Sequence, residues 1–200
     1  MLDKLNENEL EIASKLVFDG LSMAKKSMEQ ILQSPISIEK IDYSSSVDVP
    51  LPKFEDLDGQ SVHVIKTKLI GELKGTSHLI FREDEVAKVF KACLPAKLID
   101  SDTPESRMMK IGFLTEIDNM MAAAVITEFS NFLGLEIYGH VPSLNVVKST
   151  EVNSYLEKEA GEFDAIIRFK AIFHGVELDI SPDFVWIFQE EFVDKIRDLV

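Results

Sequence analysis

The stretch SRMMKIGFLTEIDNMMAAAVITEFSNFL, residues 106–133, followed by Gly134, is where the reading of this chain begins. Met108, Met109, Ile111, Phe113, Leu114, Ile117, Met120, Met121, Val125, Ile126, Phe129, Phe132 and Leu133 make a helix that is apolar round most of its circumference. Such a helix belongs at the centre of a domain, packed on a sheet, and Gly134 is placed to end it as a C-terminal cap. The pattern leaves a narrow strip for water: Thr115, Glu116, Asn119 and, one turn on, Ala122 and Ala123. Residues three apart share a helix face, so Glu116 and Asn119 point the same way. The alanines beyond them remove bulk and would let another surface approach.

Upstream, apolar residues recur at three- and four-residue steps from Asn6 to Gln33, which predicts an amphipathic helix stopped by Pro35. Ile36 to Val49 has strand character, and Pro50 to Gly59 reads as a loop. Ser61 to Leu73 alternates apolar and polar residues and turns at Lys74-Gly75-Thr76 into Ser77 to Arg82, a hairpin. A short helix over Glu83 to Leu94 and a linker over Pro95 to Pro104 follow. The order then recurs: the long helix, a strand segment from Glu136 that contains Pro142, and a short polar helix from Glu151. Phe163 to Phe173 turns at His174-Gly175 into Val176 to Ile180, and Phe184 to Phe188 leads to a last helix. Ile80-Phe81-Arg82-Glu83 and Ile187-Phe188-Gln189-Glu190 stand at equivalent points. The expectation is an α+β body of two pseudo-twofold halves, about 1–97 and about 104–200, forming a mostly antiparallel sheet flanked by helices.

A 200-residue chain with 46% hydrophobic content can bury a core without disulfides, and its single cysteine, Cys93, rules out an intrachain bridge. A charged start and short apolar runs predict no export signal and no membrane span, hence a cytoplasmic protein. The formal charge of −14 argues against nucleic acid as a partner. His63, His78, His140 and His174 show no metal-ligand spacing, and Cys93 has no companion histidine. Neither a glycine-rich phosphate loop nor a Gly-x-Ser-x-Gly elbow is present.

Glu-x-x-Asn alone is also what a solvated helix strip produces. With twenty-two residues between Asn119 and Pro142, the Leu133-Gly134 helix end and the strand that follows, the chain resembles the CheC, CheX and FliY family of chemotaxis phosphatases. Gly112 and Asp118 depart from the pattern, since members often carry Asp or Ser four residues before the Glu and many have Gly before the Asn. Aligning Ile31-Leu32 with Phe132-Leu133 puts Lys15 and Phe18 where a second Glu and Asn would be, so the first half is expected to be scaffold.

The resemblance implies that the substrate is the aspartyl phosphate of a CheY-like response regulator. Asn119 would position the attacking water, and Glu116 would pair with the partner's active-site lysine. Pro142 would shape the strand beneath the site. No cofactor is expected on this chain; Mg2+ would arrive on the response regulator. The alternative is a non-catalytic adaptor of the same fold that binds a response regulator, a CheD-like protein or a flagellar switch component. A monomer is favoured over a homodimer, and a small-molecule enzyme has no motif behind it.

Overall fold

The computed structural model describes residues 5–44, 59–161 and 166–199. Helix α1 (Glu7–Leu32) starts where Asn6 and Glu9 exchange side-chain-to-backbone hydrogen bonds of 3.0 and 2.8 Å, a capping box, and stops at Gln33 in the left-handed conformation before Pro35. Strand β1 (Ser37–Ser44) follows. The remainder of the first expected strand and its loop as far as residue 58 lie outside the described residues. Strands β2 (Ser61–Gly71) and β3 (Gly75–Arg82) form the expected hairpin, with Gly75 opening β3 instead of sitting in the turn. Then come α2 (Glu83–Cys93), a four-residue α3 (Ala96–Ile99) inside the expected linker, and α4 (Pro104–Leu133), capped by the Thr103 hydroxyl at one end and by left-handed Gly134 at the other. Strands β4 (Ile137–Gly139) and β5 (Ser143–Lys148) are followed by α5 (Val152–Ala160), β6 (Ile166–His174), β7 (Asp183–Gln189) and α6 (Glu191–Arg197).

Two expectations are corrected here. Val176 to Ile180 is a turn closed by an isolated bridge between Gly175 and Ile180, with Asp179 at φ 50°; β7 is the strand that returns along β6. The span is too short to pair back along β6, and Val176 is exposed. Pro142 lies between β4 and β5, not within a strand, since it lacks the N–H that a ladder needs.

Every pairing in the seven-stranded sheet is antiparallel, and the order is β1-β6-β7-β3-β2, with β4 and β5 both on the far side of β2. The order reads alike from either edge, because each half lends its first strand to the hairpin of the other. Helices α1, α2, α4 and α6 cover one face, over Trp186, Phe188, Phe169 and Phe81; α5 covers part of the other, over Val62, Val64, Ile80, Val185 and Ile187. The buried residues of α1 and α4 coincide under one shift: Ala13, Leu16, Val17, Gly20, Leu21, Ala24 and Met28 become Leu114, Ile117, Asp118, Met121, Ala122, Val125 and Phe129 when 101 is added.

The edge next to the candidate groove is fixed by Gly71. Its φ is +109°, and a Cβ there would sit 2.1 Å from the carbonyl oxygen of Glu136, which accepts the Glu72 N–H at 3.0 Å. Strand and substituent cannot both be kept. Gly71→Ala is therefore expected to cost about 2–4 kcal/mol, read as a fall in the urea midpoint with an unchanged slope.

Candidate functional site

Thr115, Glu116 and Asn119 of α4 form one wall of a groove of about 230 Å3, and Gly139, His140, Val141 and Pro142 form the other. The segment His140–Pro142 leaves the sheet because the ladder to β2 is interrupted there, between the Leu69–Gly139 and Lys66–Ser143 pairs. It is anchored by the His140 N–H, which donates to the Lys68 carbonyl at 2.7 Å. The Thr115 hydroxyl is committed to its own helix, 3.0 Å from the carbonyls of Ile111 and Gly112. Glu116 and Asn119 are exposed, and among the described residues neither side chain is engaged in a hydrogen bond or ion pair. Asn119 thus offers both a donor and an acceptor to whatever enters. The lining contains no lysine or arginine, so it carries no permanent positive charge to hold a free phosphate ester.

The strip is wider than the sequence pattern predicts, and one of its members is elsewhere. Met108, Met109 and Ile111 are exposed, at 74%, 62% and 46%, so the first half of α4 shows apolar side chains to solvent. Apolar periodicity identifies a helix that could be buried all round; it does not say that neighbours exist to bury it. Ala122 is buried in the core facing the sheet, whereas Ala123 is exposed. A helix advances about 100° per residue, so where the strip is narrow the neighbour of an exposed residue turns inward.

Beneath the groove lies Asp118, fully buried. Its Oδ2 accepts the Thr67 hydroxyl of β2 at 2.6 Å, and its Oδ1 has no partner. Burial pushes the carboxyl up to about 7, opposed only in part by the Thr67 hydrogen bond. Thr67 also touches the far wall: a Cβ on Gly139 would meet its Cγ2 at 3.2 Å. The counterpart on α1 is different. Phe18 is exposed, Lys15 pairs with Asp19 at 2.5 Å, and the Tyr43 hydroxyl of β1 reaches over the helix to the Ser14 carbonyl at 3.5 Å.

Solved structures align over nearly the whole chain. FliY from Thermotoga maritima superposes with a TM-score of 0.67 at 16% identity, covering 98% of this chain and 96% of that one. CheX from Borrelia burgdorferi, in its complex with CheY, BeF3 and Mg2+, gives 0.58 at 13% identity, over 87% and 97%. This is the fold of the CheC, CheX and FliY chemotaxis proteins. The FliM middle domain from V. alginolyticus shares it too, with 0.54 at 14% identity, over 92% and 97%. No family model matches the chain, and neither does any curated protein. The sheet of CheC, CheX and FliY proteins is thus present here at a sequence distance where only the fold carries over. No helix among the described residues is long and apolar enough to cross a membrane.

Sequence reading singled out Glu116, Asn119 and Pro142, which the fold brings to one groove, and missed Gly139, His140 and Val141 as its second wall. The usable signal was Pro142 itself: a proline that interrupts an edge strand bares the residues before it. Asp118 was noticed only as a departure, although it is the one acidic residue on the buried stripe of α4.

The raised carboxyl of Asp118 fixes the sign of a pH effect. The folded chain holds this proton more tightly than the unfolded chain, so stability is greatest below the ordinary carboxylate range, near 3.8, and is lost as pH rises towards about 7. Asp118→Asn is expected to remove this contribution, gaining on the order of 2–4 kcal/mol relative to wild type at pH ~8 and little at pH ~4. Urea unfolding at the two pH values measures it.

Proposed function

We propose that this protein hydrolyses the aspartyl phosphate of a CheY-like response regulator. The observation that carries the reading is the exposed, unpaired Glu116/Asn119 pair on a helix pinned to the sheet, in a groove without a cation. A groove of that kind is poorly suited to a soluble phosphate ester, and suited to a phosphoryl group delivered on a protein that brings its own positive charges. The CheX neighbour is complexed with CheY, BeF3 and Mg2+, which supports a partner of this class.

Asn119 orients a water molecule, accepting a water hydrogen at Oδ1 and directing its oxygen in line with phosphorus. The water oxygen bonds to phosphorus, the bond to the aspartyl oxygen breaks, and carboxylate and inorganic phosphate leave. An acyl phosphate is already activated, so positioning supplies most of the acceleration. Glu116 gives the partner's lysine a carboxylate to pair with, and Mg2+ enters as part of the substrate. Pro142 and Val141 form the wall that limits how the partner seats. In this reading the second half, about 104–200, holds the single site, the first, about 1–97, is scaffold, and the protein works in the cytoplasm beside its substrate.

One observation favours a second reading. The FliM middle domain shares the fold, so a binding module that engages a response regulator, a CheD-like protein or a flagellar switch component without hydrolysis is the alternative. Phosphate release from a panel of phosphorylated response regulators separates the two. The phosphatase reading expects accelerated release, with Asn119→Ala losing at least about a hundredfold in rate while still binding, and Glu116→Ala weakening both rate and binding. An adaptor would bind and leave the acyl phosphate lifetime unchanged.

A further inference from the structure

Six of the seven position pairs that coincide between α1 and α4 are apolar or glycine in both helices: Ala13 and Leu114, Leu16 and Ile117, Gly20 and Met121, Leu21 and Ala122, Ala24 and Val125, Met28 and Phe129. The seventh sets Asp118 against Val17. Val17 fills its place between helix and sheet with no polar partner needed, so packing does not ask for a carboxylate at this point of the fold. A buried acid with one hydrogen bond and one unpaired oxygen is costly. It sits between Glu116 and Asn119 in sequence, on the buried side of α4 while they stand on the exposed one.

We propose that Asp118 is a positioning residue for the groove: through Thr67, which it holds on one side and which abuts Gly139 on the other, it sets the spacing between the Asn119 wall and the His140 wall, and loss of its proton loosens that setting. The geometry supports each link. Thr67 is itself buried, and its strand carries Ile65 and Leu69 on the same face, with Ser77 and Leu79 opposite them on β3. Ionising Asp118 in these surroundings leaves a charge with a single hydroxyl for solvation, and the available relief is for α4 to lift from β2 and β4 until water reaches Oδ1.

Among the described residues no other charged group is placed to compensate. On β2, Lys66 and Lys68 alternate to the opposite face of the sheet. On α1, Lys15 pairs with Asp19 and Lys25 with Glu29. β3 and β4 present Ser77, Leu79, Ile137 and Gly139, and on α4 itself Glu116 faces water. His140 lies on the outer wall, and burial and Thr67 alone account for the displaced carboxyl.

The test follows the resonances of the Asn119 side-chain amide and of the Gly139 and His140 backbone amides in the full 15N-labelled chain, from pH ~5.5 to ~8.5. In wild type both walls are expected to shift together, with a common midpoint near 7. In Asp118→Asn, whose amide oxygen still accepts from Thr67, that shared transition is expected to vanish. Asp118→Val, which copies the α1 counterpart, is expected to fold and to hold both walls in one pH-independent position. Identical pH courses in wild type and Asp118→Asn would overturn the proposal. A second arm rests on the phosphatase reading: clearance of a phosphorylated response regulator is expected to fall about tenfold or more in Asp118→Val and to lose its pH dependence in Asp118→Asn. Should wild type clear no response regulator, the phosphatase reading fails, and the resonances alone decide the role of Asp118.

Discussion

The ring of Phe129 lies against Gly20, where a Cβ would come within 3.1 Å of its Cε1, and this close crossing of the two long helices governs the rest of the molecule. It presses α4 onto the sheet, where Phe129 stacks on Phe188 with centroids 5.6 Å apart and Phe188 stacks in turn on Trp186 at 5.6 Å. Aromatic side chains buried to this extent contribute roughly 2–3 kcal/mol each. With one flank taken by α1 and the inner face by the sheet, α4 has a single direction in which side chains can meet a partner. Glu116 and Asn119 stand on that side.

A rigid helix is what a water-positioning amide would require. In the proposed mechanism Asn119 supplies no nucleophile and no charge, so its value depends on being held while a reacting group is brought to it. The interleaved sheet gives the same support to the opposite wall: β4 and β5 are hydrogen-bonded to a strand of the other half, and the His140 N–H is tied to Lys68. The groove is therefore lined by one half and braced by a strand of the other.

The helices were legible because their periodicity is long and their stops are explicit: Asn6 with Glu9, Pro35, Thr103 with Pro104, Gly134. The β2–β3 hairpin was legible from alternation. Short connections were not, because Val176 to Ile180 is apolar enough for a strand yet too brief to pair back along β6. At the site, the spacing of Glu116, Asn119 and Pro142 carried the groove, whereas Ala122 was misplaced because a list of small residues does not fix a helical azimuth. The exposed methionines at the start of α4 lay beyond any periodicity argument, since burial is a property of neighbours. The Asp118–Thr67 contact spans 51 residues, and nothing local in either segment announces the other.

The two sheet edges also differ in a way that sets the two halves apart. On the first half's side β1 runs unbroken, apart from a bulge at Ile38–Lys40, and its Tyr43 roofs the helix at Ser14, the residue that corresponds to Thr115. On the other side the matching strand is severed at His140–Pro142, and the severed span forms the outer wall of the groove. An open mouth against a thatched one, made by a single interruption of a ladder, lets twin architectures with matching hydrophobic interiors present unlike surfaces.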